Sequence, residues 1–277
     1  MLPQSSVEQE TTLVDRARLG DESALTELVE PLRRPLFAYV YRMVTHRADA
    51  EDLMQEVLVR VIENLRTYRG QARFKTWVFG IATHACLDYL RGKKRWRVEA
   101  QLEGEREHDS SPEQVEELKA LISQADFVYE VREHIAFCFA CIGRTLEPEE
   151  QAAMMLKEVL AFTAQEAAGI LQVSEPVFRH RLASAREKMI GSFDGLCQLI
   201  NKSGACWQCT GLHEHVPEGH RGAALVQIEV RPGLAVTPEN LFEARLAIVR
   251  EADLENGKTR PMHDMFYEAI TQREQSA

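Results

Sequence analysis

Residues Leu146–Met189, LEPEEQAAMMLKEVLAFTAQEAAGILQVSEPVFRHRLASAREKM, decide the fold around them, because they predict a helix, a tight turn and a second helix carrying Arg179, His180, Arg181 and Arg186. The first helix of the pair turns Ala167, Ala168, Ile170 and Leu171 inward, Gln172-Val173 makes the turn, and Ser174 is placed to cap the next helix by accepting a backbone N–H. Pro176 falls in that helix's first turn, where a missing N–H costs little. Val177 and Leu182 face inward and the basic residues outward, the arrangement that lets a helix-turn-helix lay one helix in a major groove. The pattern also fits an ordinary helical hairpin with a solvated basic face.

A second helical unit lies upstream, in Asp49–Tyr68, DAEDLMQEVLVRVIENLRTY, and Arg73–Arg97, RFKTWVFGIATHACLDYLRGKKRWR. Leu53, Val57 and Val61 with Met54, Leu58, Ile62 and Leu65 form a wide apolar stripe that predicts burial in a bundle, while Asp52, Gln55 and Glu56 lie off it. The following segment interleaves aromatic and basic residues. Single-stranded DNA binding uses both, rings for unstacked bases and cations for the backbone. Trp77, Phe79 and Ile81 equally fit a core-facing reading, since aromatics at helical spacing pack together.

Taken together, the motifs Asp49-Ala50-Glu51-Asp52-Leu53 with Gln55-Glu56, Phe74-Lys75-Thr76-Trp77 and Leu87-Asp88-Tyr89-Leu90-Arg91, followed by the helix-turn-helix pattern, resemble a bacterial sigma factor of the extracytoplasmic-function type. The resemblance covers about Leu13 to Arg97 as that family's domain 2 and about Val131 to Met189 as its domain 4. It implies a factor, not an enzyme, that binds RNA polymerase core through the largest and second-largest subunits and directs promoter-specific initiation. Asp49, Asp52, Gln55 and Glu56 would then meet the polymerase. Phe74, Lys75, Trp77, Arg91 and Lys94 would read the minus-ten element, with the loop at Gly70 to Arg73 helping to build a base pocket. Ser174, Arg179, His180, Arg181, Arg186 and Lys188 would read and hold the minus-thirty-five element. Relatives often have Asn at His84 and Gly at Gln172 and Pro176, departures that bear on promoter preference. An anti-sigma protein is a further implied partner.

The expected architecture is mainly α: residues 1–97 as domain 2, an acidic linker at 98–112, domain 4 at 113–190, and a small α+β extension at 191–277 with a regulatory role. That extension is expected to hold one strand at Ala224–Val230 and helices near Pro238–Ala252 and Met262–Arg273. Net charge is −10 over 277 residues, unfavourable for approaching phosphate. Its distribution answers the objection. Arg66–Arg97 holds nine Lys or Arg against Asp88 alone, whereas Glu99–Glu133 holds eleven acids against three bases. No apolar run is long enough to span a bilayer, and MLPQSSVEQE has no export signal, so a cytoplasmic location without a membrane partner is expected.

A reducing compartment makes the six cysteines thiols or metal ligands before disulfides. His134, Cys138 and Cys141 form H-x3-C-x2-C on one predicted helix, and Cys206 and Cys209 form C-x2-C ahead of His213 and His215. No cofactor is required by the expected function, but Cys138, Cys141, Cys206 and Cys209 fit a structural zinc site, with His134, Cys197 and His213 as alternative ligands. Buried thiols without a ligand and a redox switch fit the same residues. Two other functions stay open: a helix-turn-helix regulator acting without polymerase, and a thiol protein, redox- or zinc-responsive or a thiol-disulfide enzyme at Cys206-Trp207-Gln208-Cys209. The enzyme reading lacks the strand that such a motif normally follows.

Overall fold

The computed structural model describes residues 7–97, 100, 112–206, 208–222, 228–252 and 257–276. Four helices form the first unit: α1 (Val7–Arg18), α2 (Glu22–Val44), α3 (Arg47–Asn64) and α4 (Phe74–Arg91). Asp21 starts α2 by accepting the Ala24 N–H, and Thr45 ends it in the left-handed region. Leu36, Val40 and Val44 of α2 are buried with Val57 and Val61 of α3 and Phe79 and Ala82 of α4. Glu10 of α1 accepts the Phe74 N–H at 2.9 Å, so a carboxylate satisfies one of the orphan donors at the start of α4.

Beyond this bundle come α5 (Pro112–Ile122), α6 (Val131–Gly143), α7 (Pro148–Met154, continued by a π turn to Val159), α8 (Ala164–Ile170) and α9 (Glu175–Leu196). Helices α5 and α6 are separated by a turn. Helix α6 is buried almost all round, from His134 to Gly143 without a break. A helix apolar on every side belongs in an interior, and its neighbours are α2, α9, α10 (Gln208–His215), α11 (Pro238–Glu251) and α12 (Arg260–Ser276).

The extension therefore belongs to the same core as the two sequence-matched units. Helices α11 and α12 fall where the sequence predicted them. Of the expected strand, 224–227 lie outside the described residues, and 228–230 are not strand. Among the described residues only the isolated bridges Tyr129–Arg221 and Cys197–Cys206 have β pairing. Most of the expected linker, 98, 99 and 101–111, likewise lies outside the described residues. Buried Arg42 of α2 donates to the Val249 and Ala252 carbonyls at 2.9 and 3.3 Å, closing the open carbonyl end of α11. Gln151 of α7 in turn donates to the Arg42 and Met43 carbonyls.

The turn of the helix-turn-helix carries a backbone cost. Gln172 has φ +53°, a conformation in which a Cβ crowds the next carbonyl and glycine is preferred. Relief of that strain is opposed by the extra freedom glycine gives the unfolded chain. Gln172→Gly should raise unfolding stability by up to about 1 kcal/mol, measured by urea denaturation; a loss would show that the Gln172 side chain holds the turn in some other way.

Candidate polymerase and nucleic-acid interface

Helix α3 buries Ala50, Leu53, Met54, Val57 and Val61 and leaves Asp52, Gln55 and Glu56 exposed. Val59 and Ile62, 52% and 55% exposed, continue the same outer face at positions i+7 and i+10 from Asp52. Ile62 is thus misplaced in the stripe expected to be buried. It belongs to a surface of acids flanked by aliphatic side chains, suited to a partner that is basic and partly apolar. Asp49 behaves differently. It is half-buried and accepts from Tyr89 Oη and His46 Nδ1, tying α3 to α4.

In α4 the aromatic residues pack inward. Phe74 is buried, and its ring meets Tyr68 at 5.7 Å and half-buried Trp77 at 5.7 Å, with Tyr68–Trp77 at 5.2 Å. This corrects Phe74 as a base-stacking residue, because its faces are already taken. Trp77 keeps an exposed portion beside an open groove lined by Arg18, Arg66, Thr67, Tyr68 and Arg69. Three arginines around an aromatic ring suit a nucleic-acid strand. Arg66 and Arg69 lie inside the basic run that the sequence marked, but Arg18 comes from α1, and no local pattern linked it to them.

Most of the remaining cations expected on DNA are engaged by the protein's own acids or rings. Lys75 sits 4.7 Å from the Phe162 ring, and burial pulls its pKa down. Arg91 pairs with Asp88 and with Glu149 of α7, Arg95 pairs with Glu147, and Arg97 grips Glu274 of α12. Burial pushes the Glu149 carboxyl up, but the Arg91 hydrogen bond, a backbone hydrogen bond and the charges of Arg91 and Arg181 together outweigh it, and the net shift is downward. Lys94 is exposed.

The recognition helix α9 buries Phe178, Ala185, Met189 and Phe193. Phe178, absent from the expected inner face, is its anchor, and Val177 is 43% exposed. Ser174 occupies the N-cap without a side-chain cap bond, so the expected cap fails. The capping box forms one helix earlier, between Thr163 and Glu166. Arg179 and His180 are exposed and Arg181 half-buried; Arg179 pairs with Glu175 one turn back. Arg186 is not a free phosphate contact: it bridges Glu158 at 2.8 Å and Glu243 of α11 at 2.6 Å over the Phe242 ring. Lys188 is held by Glu150 at 2.7 Å.

The four thiols expected together are not all together. Cys141 packs with Trp96, Phe137 and Tyr267, away from the others. Cys138, Cys206 and Cys209 line one small cavity, and Cys197 takes the place expected of Cys141. His134 lines it too, whereas His213 lies against the Tyr129 ring instead. None of the cysteines forms a disulfide, and among the described residues no three His, Cys, Asp or Glu side chains form a ready-made metal-binding group.

Residues 28–96, spanning most of α2, all of α3 and α4 and the basic turn after them, match sigma-70 region 2. The chain carries a sigma-70 region 2. Among curated relatives, the extracytoplasmic-function sigma factor SigG of Mycobacterium tuberculosis is 33% identical over 183 residues, 62% of this chain and 48% of that protein. SigX of Bacillus subtilis is 28% identical over 155 residues, 56% of this chain and 75% of that protein. The chain spans about half the length of the Mycobacterium relative. A solved structure of CnrH in complex with the cytosolic domain of CnrY aligns over 67% of this chain and 97% of that one at 18% identity, with a TM-score of 0.47. Among the described residues no helix is long and apolar enough to cross a membrane.

Proposed function

We propose that this chain is a sigma-70 family promoter-specificity factor of the extracytoplasmic-function type, which binds RNA polymerase core in the cytoplasm and directs initiation at promoter DNA. The observation that carries the reading is the outer face of α3. Asp52, Gln55, Glu56, Val59 and Ile62 lie exposed inside the region 2 match, and they suit a basic helical partner on the largest polymerase subunit. The groove at Arg18, Arg66, Tyr68 and Arg69, beside Trp77, is the candidate for the opened minus-ten strand. Arg179 and His180, exposed at the start of α9, are candidates for base edges of the minus-thirty-five element. RNA synthesis itself belongs to the polymerase, and an anti-sigma protein would compete for the same surfaces.

The paired cations fit this reading as a closed form. Exposed ion pairs contribute about 0–1 kcal/mol each, so a polyanion held close by polymerase can exchange with Glu147 and Glu149 for Arg95 and Arg91. In this form the extension is a regulatory clasp, through Glu243 on Arg186 and Glu274 on Arg97.

Mixing the full chain with core polymerase should give a stable complex and start-site-specific RNA. Asp52→Lys with Glu56→Lys should lose the complex while leaving the fold intact by circular dichroism. A wild-type chain that binds promoter duplex tightly but never joins the polymerase would be a free-standing helix-turn-helix regulator, and the proposal would fall. Arg179→Ala should cost about 1–3 kcal/mol of discrimination at one base pair, read by comparing a selected promoter with its single-base variants. Lys188→Ala should change DNA binding little, because Glu150 already holds that ammonium. Equal loss in both variants on every sequence would remove Arg179 from base reading.

A further inference from the structure

Arg245 of α11 is 0% exposed, and among the described residues it has no carboxylate partner. Its guanidinium lies 4.0 Å from the centre of the Phe193 ring and donates through Nη1 to Cys197 Sγ at 3.3 Å, while Nε and Nη2 have no hydrogen-bond partner. Guanidinium does not lose its proton in proteins. A permanent charge taken out of water needs an opposite charge close by, and of the ionisable groups around Arg245, which include His134, Cys197, Cys138 and Cys209, only the thiols can become anions. Buried thiols do not ionise unaided. Thiolates beside Arg245 therefore require a cation that displaces the thiol protons.

The backbone brings the sulfurs to one place. Cys197 ends α9 and Cys206 precedes α10, and the two are clamped side by side by Gln198 N–H to Cys206 O at 3.0 Å and Cys206 N–H to Leu196 O at 2.7 Å. Gly204 makes this knuckle possible: a Cβ there would stand 2.6 Å from the Leu196 carbonyl oxygen, a backbone contact that cannot move aside. Cys209 follows three residues after Cys206 in α10, and Cys138 faces them from α6. The cavity that these four line with His134 and Arg245 has a volume of about 10 Å³. That is room for one atom.

We propose that Cys138, Cys197, Cys206 and Cys209 bind a single zinc ion as a tetrathiolate, with Arg245 as the buried counter-charge that hydrogen-bonds to the ligand sulfurs. Binding draws the sulfurs onto the ion by side-chain rotation; four S–H bonds lose their protons to water and four Zn–S bonds form, with no change of oxidation state. The ion carries two positive charges against four thiolates, and Arg245 offsets part of the excess. The site staples α6, α9 and α10, and through Arg245 it fixes α11. It differs from the spacing-based set in using Cys197 in place of Cys141. Nothing in it depends on polymerase or DNA.

The test uses the full chain, stripped with chelator under reducing conditions and titrated with Co²⁺ as a spectroscopic stand-in. One equivalent should produce thiolate-to-cobalt charge transfer and the intense visible bands of a tetrahedral sulfur site, both abolished by added Zn²⁺. Cys197→Ser and Cys209→Ser should lose the tetrathiolate spectrum, while Cys141→Ser and Cys86→Ser keep it. Arg245→Gln should weaken metal affinity about 10–100-fold, the range for partners of metal ligands. Should the serine variants misfold, wild type alone decides: zinc added to stripped protein must raise its melting temperature with one-to-one stoichiometry. No bands and no thermal shift would overturn the site, and so would a spectrum that survives Cys197→Ser but not Cys141→Ser.

Discussion

On acidification from pH 6.5 towards 5 the protein should lose about 1.4 kcal/mol of stability per pH unit for each fully buried histidine. His263 is 1% exposed, its ring lies parallel to Phe137 at 4.3 Å, and its Nε2 has no partner. Burial, helped by neighbouring His134, holds its pKa well below the ordinary value. His134 is itself pushed down to about 4 by burial. The unfolded imidazole takes a proton near pH 6.5 and the folded one does not, so the unfolded state holds more protons in this window. The stabilisation is therefore complete above about pH 6.5 and declines as pH falls towards the folded value. Burial raises the Glu150 carboxyl, but the Lys188 ammonium and the Ser184 hydroxyl bring it below the ordinary value, so it responds only in more acidic solution. Glu133 and Asp264, raised by burial, act in the opposite sense, and comparison with His263→Phe cancels them. Urea midpoints of wild type should fall between pH 6.5 and 5 and those of His263→Phe should fall less. Parallel curves would mean that His263 is solvated in the native protein.

Phe242→Ala should destabilise the chain by about 3–5 kcal/mol, the range for deleting a fully buried aromatic. In a protein of this size that lowers the melting temperature by about 10 °C. The Phe242 ring is 0% exposed, packs 6.1 Å from Phe139 and 6.2 Å from Phe193, and lies under the Arg186 guanidinium. It is where the extension enters the core shared by α6 and α9. A cost under 1 kcal/mol would show that α11 is loosely attached. Truncation after Ile190, which looks from sequence like a clean domain cut, would remove Phe193 and Phe242 from Phe139 together. Lost activity in such a fragment would not separate regulation from misfolding, so charge substitutions at Glu243 and Glu274 are the better probes of the clasp.

The sequence disclosed the helices of both matched units and, Ile62 apart, the inner face of α3, because each is written in local periodicity. It was less decisive where two patterns overlay each other. Val177 and Leu182 make an inner face as plausible as Phe178, Ala185 and Met189, and only packing against α7 and α8 chooses between them. Composition could not separate stacking from packing either, since Phe74 has the same neighbours in sequence whether its ring meets a base or Tyr68. The partners of Arg186 and Arg97 lie far along the chain at Glu243 and Glu274, and no spacing rule reaches them. Cys141 and Cys197 exchanged roles for a related reason. The cavity faces the His134–Cys138 edge of α6, one turn apart, and the next thiol on that helix turns towards Tyr267.

Helix α6 leaves the ribosome well before the segments that cover it, α10 to α12. Domains tend to fold in the order in which they are made, but this interior cannot close until α10 to α12 have followed. Until then Ile135, Phe137 and Phe139 stand exposed on a nascent chain whose basic helices are already formed. The closed form is thus first reached once α12 has emerged, and a chain stalled near residue 230 would be a substrate for chaperones with its interior still open.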